Sequence, residues 1–218
     1  MLTLAISTSS GQFALVIGEN NQVIANSNDE WNTSFISNEL DDMLSLGLAY
    51  CKREVTEIGV IIVDIGPGGT SRVRTGIAFA NALAYSLGIS VCPVSSMELA
   101  GIDASNRFDG LPVVNSIKSI KGNAYIGLYN QSLISICHGT VKDIVPQLVQ
   151  DIEQFVAVGF HREAIMRLPS LQNKTIIDSA MSFGHARIMI EKSDFFIKNK
   201  HGFPVYAQPI TEKTLNHE

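Results

Sequence analysis

Charged residues are scarce in this 218-residue chain, at 17% of the composition, and the formal net charge is −5. Lys and Arg never form a run longer than the pair Lys52-Arg53. Strong binding to nucleic acid needs several cations on one face, because each phosphate contact neutralises one charge. The composition therefore disfavours strong autonomous binding to nucleic acid and leaves open binding to RNA within a larger assembly.

Cysteines and chemically active clusters are also few. The three cysteines, Cys51, Cys92 and Cys137, lie far apart and form no C-x-x-C pair, as is typical of free thiols in a reducing cytosol. The five histidines show neither H-x-x-x-H nor H-E-x-x-H spacing, and no G-x-S-x-G nucleophile motif occurs. The sequence thus offers no catalytic residue and no metal site of the usual kinds.

Long apolar runs are missing as well. None approaches the roughly 20 residues that a membrane-spanning helix needs, and the start, Met1 to Ile6, lacks the basic region of a signal peptide. Hydrophobic residues still make up 45% of the chain, enough for one large packed core or two small ones. We expect a soluble, cytoplasmic protein with no membrane partner.

Alternating apolar runs predict an α/β protein in two halves. Strands around 2–7, 13–18 and 23–27 precede a helix capped near Thr33-Ser34, giving the order βββαβαβ up to residue 94. This order differs from a Rossmann unit, in which each strand is followed at once by a helix. The second half alternates less cleanly and ends in a helix predicted over 180–191. A polar, glycine-ended stretch at Asn106 to Gly110 sets the expected domains at 1–105 and 106–218.

A glycine-rich turn joins the strand that ends at Asp64 to an alanine-rich helix. Such a turn can present unpaired N–H groups to a phosphate, with hydroxyls from the end of the first strand nearby. It can equally be a tight turn whose glycines, Gly68 among them, adopt positive φ, since neither a Walker A nor a G-x-G-x-x-G pattern is present. The phosphate-binding role and the structural role concern the same residues, which are Ser7, Thr8, Gly66, Pro67, Gly68, Gly69 and Thr70.

This turn resembles a signature of the bacterial TsaB family. The family pattern is Gly-Pro-Gly-Ser-Phe-Thr-Gly-X-Arg-X-Gly, and the matching residues here are Gly66, Pro67, Gly68, Arg74 and Gly76. The opening LAISTSSG and the late FPVYAQ are similar to the family's Leu-Ala-Ile-Asp-Thr start and Pro-X-Tyr-X-Arg ending. Ser7 stands where the family has Asp, and Gly69 to Arg72 replace Ser-Phe-Thr-Gly.

The resemblance implies a two-lobed actin-like/Hsp70-like ATPase fold (ASKHA), with mixed sheets flanked by helices. It also implies a non-catalytic scaffold that binds TsaD in the complex that places a threonylcarbamoyl group on the adenosine next to the tRNA anticodon. On this resemblance, the partner subunits, TsaD and the small ATPase TsaE, would hold ATP and Mg²⁺, and the metal-binding histidines would belong to TsaD. The chain would reach tRNA only through the complex. Its glycine loop would then be a vestigial nucleotide loop. Members are also known as M22 peptidase homologues, but we expect no peptidase activity.

A different function on the same fold remains open. A small-molecule kinase or a nucleotide-binding regulator would share the strand order, although Ser7 stands where phosphotransferases of this plan carry a metal-holding Asp. Titration with Mg-ATP separates these readings, because a kinase binds it in isolation.

If the chain is a scaffold, its function lies in an interface formed by the two helices of the first lobe. Small residues on two faces of the second helix suggest one contact with the sheet and another with a partner. We expect a homodimer when the chain is alone, exchanged for a TsaD partner. The candidate interface residues are Ile36, Leu40, Met43, Leu44, Ile77, Ala80 and Ala84.

Overall fold

The structure, a computed structural model, describes residues 1–10, 13–27, 39–199 and 204–206. Within them the chain forms two compact units. The first comprises 1–95 together with a segment that returns from residue 185 onward, and the second begins at Ser96 and extends to Gly184. This division differs from the expected boundary at 105/106 in two ways: the helix that starts at Ser96 joins the second unit, and the late helices join the first.

The first unit is built on a five-stranded mixed sheet with the order β3-β2-β1-β4-β5. β1, β2 and β3 pair antiparallel, whereas β4 and β5 run parallel to β1, as the strand order predicted from the sequence requires. The strands are β1 (Leu2–Ser7), β2 (Ala14–Glu19), β3 (Gln22–Asn26), β4 (Ile58–Asp64) and β5 (Ser90–Val94).

Helices cover both faces of this sheet. On one face, α1 (Leu40–Cys51) and α2 (Thr70–Leu87) share a core with alternate residues of the strands, among them Ile17. Gly18, the next residue, faces the opposite way, and a Cβ built there would lie 2.1 Å from Ile190 Cγ2. The returning helices α6 (Arg187–Glu191) and α7 (Ser193–Asn199) therefore cover the other face.

The second unit has its own five-stranded mixed sheet, ordered β10-β9-β6-β7-β8. α3 (Ser96–Arg107) packs closely on one face, because Gly101 and Gly127 leave room for Tyr129 and Met97. On the other face, α4 (Val141–Leu148) and α5 (Arg162–Met166) enclose a separate core. The strands are β6 (Val113–Lys118), β7 (Ala124–Asn130), β8 (Ser132–Gly139), β9 (Gln154–Gly159) and β10 (Thr175–Asp178).

The helix predicted over 180–191 is the clearest error in the expected elements, because the structure begins a helix only at Arg187. Ala180 has a positive φ of 56°, which a continuous helix does not allow. Gly184 runs so close to α3 that a Cβ would lie 2.6 Å from the backbone nitrogen of Ala100. The predicted cap at Thr33-Ser34 lies outside the described residues. Among those described, no helix combines the length and the apolar composition needed to cross a bilayer.

Candidate functional site

The glycine loop and the end of β1 meet at one edge of the first sheet. β1 and β4 are parallel neighbours, so Ser7 and Asp64 end up side by side. The Asp64 carboxylate is 1% exposed and accepts hydrogen bonds from Ser7 Oγ at 2.8 Å, from Ser9 Oγ, and from the backbone N–H of Gly66 at 2.9 Å. The carboxylate is thus directed into the turn, where its neighbours satisfy it.

Two glycines of this region are required by close contacts. A Cβ on Gly68 would lie 2.7 Å from the carbonyl oxygen of Ser9. A Cβ on Gly76 would lie 2.6 Å from Thr8 Oγ1, and this hydroxyl donates to the carbonyl oxygen of Arg72 at 2.8 Å. The end of β1 is therefore packed directly against the loop and the first turns of α2.

Positive φ occurs at Gly66, at 93°, and not at Gly68. The prediction of positive φ at Gly68 is thus corrected: that residue is required by crowding against Ser9. The Gly66-Pro67 peptide bond is cis, and both residues are buried, whereas Gly69 and Thr70 at the start of α2 are exposed.

The predicted interface residues lie in a different place from the one expected. The six that are described are buried side chains in the core between the helices and the first sheet, so they hold α1 and α2 on the sheet and do not form a surface. This corrects the choice of face, and Ile36 lies outside the described residues. The six are Leu40, Met43, Leu44, Ile77, Ala80 and Ala84, each 7% exposed or less.

The outward face of α2 carries the second set of small residues. Ala78, Ala82 and Tyr85 are exposed and follow one another at four- and three-residue spacing, which places them on one stripe of the helix. Tyr85 is 80% exposed. Ala80, two residues from Ala82, points into the core at 0% exposure.

Sequence analysis missed a polar cluster in the second unit, where β6 and β9 end. The backbone N–H of His161 donates to Ser116 Oγ at 2.9 Å, and Gly159 adopts a φ of 97° as the chain crosses over β6. Asn115 Oδ1 and His161 Nε2 are buried and have no hydrogen-bond partner among the described residues. The one available signal was the polar pair His161-Arg162, which follows closely after the apolar strand that ends at Gly159.

The electrostatics of this cluster disfavour a charged imidazole. Burial lowers the pKa of His161, and the positive charge of Lys118 lowers it further. Lys118 Nζ lies 5.0 Å from the ring centroid of Phe160, which is 59% exposed. Burial and the neighbouring Lys118 thus both favour the neutral form of the His161 imidazole, and the Lys118 ammonium lies within cation–π distance of the Phe160 ring.

A family model, "TsaD: tRNA N6-adenosine threonylcarbamoyltransferase", matches residues 36–195, which is more than half of the chain. The chain belongs to the TsaD family. The resemblance to TsaB is confirmed as well. The "tRNA threonylcarbamoyladenosine biosynthesis protein TsaB" of Bacillus subtilis (strain 168) is 32% identical over 96 residues. That match spans 44% of this chain and 39% of the length of the relative.

Solved structures confirm the fold that the resemblance to TsaB led us to expect. "YeaZ from Pseudomonas aeruginosa" superposes with a TM-score of 0.74 at 16% identity, covering 96% of this chain and 100% of the other. An uncharacterised protein "with similarity to peptidase YEAZ" from Pseudomonas aeruginosa has the same TM-score at 17% identity, covering 95% and 99%. The expected α/β fold of the actin-like/Hsp70-like class, with two mixed sheets flanked by helices, is thus confirmed.

Proposed function

We propose that this chain is a non-catalytic scaffold subunit in the biosynthesis of threonylcarbamoyladenosine on tRNA, and that it binds a TsaD-type transferase. The observation that carries the proposal is the Asp64 carboxylate, which is buried and engaged with Ser7, Ser9 and Gly66. The names of the matching TsaB relative and of the TsaD model support the pathway. No peptidase activity is proposed.

The loop supports a structural and not a nucleotide-binding role. A phosphate site needs open backbone N–H groups, and a Mg²⁺ site needs carboxylate oxygens directed at the ion. Here the only carboxylate of the turn is satisfied from within, and the Ser9 backbone fills the space beside Gly68. ATP and Mg²⁺ would then be held by the partner subunits.

The partner surface is proposed on the outward stripe of α2, defined by Ala78, Ala82 and Tyr85. Small side chains allow a second helix to approach closely, and an exposed Tyr supplies an amphipathic anchor at the edge of such a contact. The same stripe can pair with itself about a twofold axis, which gives a homodimer when the partner is missing. TsaE and tRNA would join through the complex, in the cytoplasm.

Binding to a TsaD-type partner tests the proposal. Calorimetric titration of the wild type is expected to show a one-to-one complex, and Ala82→Glu should weaken it because the charge would be buried in the contact without a partner. Light scattering should show a homodimer for the wild type alone and a monomer for Ala82→Glu. A folded Ala82→Glu protein with wild-type affinity would contradict the chosen surface, and no binding by the wild type would contradict the function.

The alternative function, a nucleotide-binding regulator or kinase, is favoured by one observation, the two buried polar atoms Asn115 Oδ1 and His161 Nε2. A bound ligand would supply the hydrogen bonds that they lack. Titration with Mg-ATP tests this alternative. Micromolar binding that Asn115→Leu removes would support it, and the lack of any heat change would discard it.

A further inference from the structure

The turn between β2 and β3 is bonded to the start of α7 through one amide side chain. Asn21 Nδ2 donates to Asp194 Oδ2 at 2.6 Å, and Ser193 Oγ donates to Asn21 Oδ1 at 2.5 Å. These partners lie 173 and 172 positions away in the chain. We call the two hydrogen bonds the clasp, because they join a hairpin made early in the chain to a helix made late.

The geometry of the turn directs Asn21 towards the helix. Asn20 and Asn21 alone connect the paired residues Glu19 and Gln22, and their φ angles are 52° and 62°. Two successive residues with positive φ are typical of a type I′ hairpin turn, a conformation that Asn tolerates. The side chain of Asn20 is exposed, whereas that of Asn21 is half-buried in the clasp.

α6 and α7 cover apolar surface although they have only five and seven residues. Isolated helices shorter than roughly 12 residues are marginal in water, so packing and the clasp must hold these two in place. Ile190 and Phe196 are fully buried, and the carbonyl oxygen of Phe196 accepts a hydrogen bond from Cys92 Sγ at 3.2 Å. Cys92, in β5, is itself 0% exposed, so access to its thiol requires α7 to move or the unit to unfold.

The segment that contains the two helices is also held at its ends. Before α6, Gly184 runs so close to α3 that a Cβ would lie 2.6 Å from the backbone nitrogen of Ala100. After α7, the side-chain amide of Asn81 bonds to both the carbonyl oxygen and the N–H of Val205. The two helices can therefore leave the sheet while both ends of the segment stay attached.

We infer that α6 and α7 form a strap that opens from the first sheet as one unit, and that the clasp sets how often it opens. Opening breaks the hydrogen bonds of Asn21 and exposes the sheet face that carries Cys92. The core that α1 and α2 share with the strands lies on the other face and stays packed. Such local opening costs less free energy than global unfolding. The strap is thus a conformational device for uncovering one face of the sheet, and it does not depend on the proposed function.

Alkylation of Cys92 in the native protein, followed by mass spectrometry of its peptide, measures opening of the strap. Asn21→Gly keeps the positive φ of the turn and removes the amide, so labelling of Cys92 by iodoacetamide at pH 7.5 should be about tenfold faster than in the wild type. Asn20→Gly is the matched control, since it makes the same backbone change in the same turn and leaves the clasp intact. Its labelling rate should stay within about twofold of the wild type.

The dependence of labelling on urea separates local opening from global unfolding. Lifting two short helices exposes little surface, so the rate at Cys92 should rise only weakly between 0 and 1 M urea, far less than the unfolding equilibrium does. A second variant, Asp194→Ala, should also speed the labelling. Added to Asn21→Gly it should change the rate less than about twofold, because the bond it removes is already lost.

Two results would overturn the inference. If Cys92 is labelled at the same rate in Asn21→Gly as in Asn20→Gly, the clasp does not hold the strap. If the labelling rate follows urea as steeply as global unfolding does, the thiol is reached only when the whole unit unfolds.

Discussion

The backbone of Ser9 occupies the space in which a side chain on residue 68 would stand. A Cβ on Gly68 would lie 2.6 Å from the Cβ of Ser9 and 2.7 Å from its carbonyl oxygen. Ser9 lies in the turn two residues after β1, and its hydroxyl is bound to the buried Asp64 carboxylate, so it has little freedom to move away. The contact therefore makes Gly68 a requirement of folding, whatever the loop binds.

Gly68→Ala is expected to destabilise the fold by about 1–3 kcal/mol, the usual cost of overpacking a rigid site. Gly69→Ala is the matched control, since nothing lies within 4 Å of a Cβ there; it should cost less than about 1 kcal/mol. Urea unfolding followed by circular dichroism measures both. Equal stability of the two variants would contradict the crowding, and lost Mg-ATP binding in a stable Gly68→Ala protein would revive the phosphate role.

Ala80→Glu and Ala82→Glu should differ sharply in stability although they are two residues apart. Ala80 is 0% exposed and faces the sheet, so a carboxylate there would be buried without a partner at a cost of about 3 kcal/mol or more. Ala82 is exposed, and its substitution should leave the melting temperature nearly unchanged. Thermal melts decide between the faces: a stable Ala80→Glu monomer would mean that Ala80 does not face the sheet.

The stability of the protein should fall below neutral pH partly because of His161. Burial, and then Lys118, lower the pKa of His161 in the folded state, whereas the unfolded chain keeps a pKa of about 6.5. The folded state then binds fewer protons, so stability is fully present above about pH 6.5 and is lost as the pH falls towards the folded pKa. Urea midpoints at pH 7.5, 6.0 and 5.0 should drop less in His161→Gln than in the wild type. An equal drop of the urea midpoint in the wild type and in His161→Gln would refute the lowered pKa of His161 as a cause of the pH dependence.

The three cysteines should react slowly with alkylating reagents in the folded protein. Burial raises the pKa of the Cys51 and Cys137 thiols, and Cys92 is buried with its Sγ donating to the carbonyl oxygen of Phe196 at 3.2 Å. Because the thiolate is the reactive form, labelling by iodoacetamide at pH 7.5 should be slow and should accelerate above pH 9. All three should label promptly in 8 M urea. Rapid labelling of any one thiol at pH 7.5 would show that this thiol is accessible and that its pKa is not raised.

The first sheet could be predicted from sequence because its strands are short apolar runs close together in the chain. The glycine loop was found for the same reason, since a strand, a turn and a helix follow one another directly from Ile58 to Leu87. The orientation of α2 was not predictable, because alanines lie on both of its faces and the apolar stripe is weakly defined. The hydrogen bonds between the side-chain amide of Asn81 and the backbone of Val205 give no local signal, since the two residues are 124 positions apart in the chain.

The return of the chain to the first sheet also imposes an order on biosynthesis. Residues Ser96 to Gly184 of the second unit lie between the two parts of the first, so most of the second unit is translated before α6 and α7. Until those helices arrive, one face of the first sheet, including Gly18 and Cys92, is left open to water. A released chain that ends at Gly184 should therefore be cut by protease in the first unit faster than the full-length chain is. The sheet that is translated first is thus covered on one of its faces only by helices that are translated after most of the second unit.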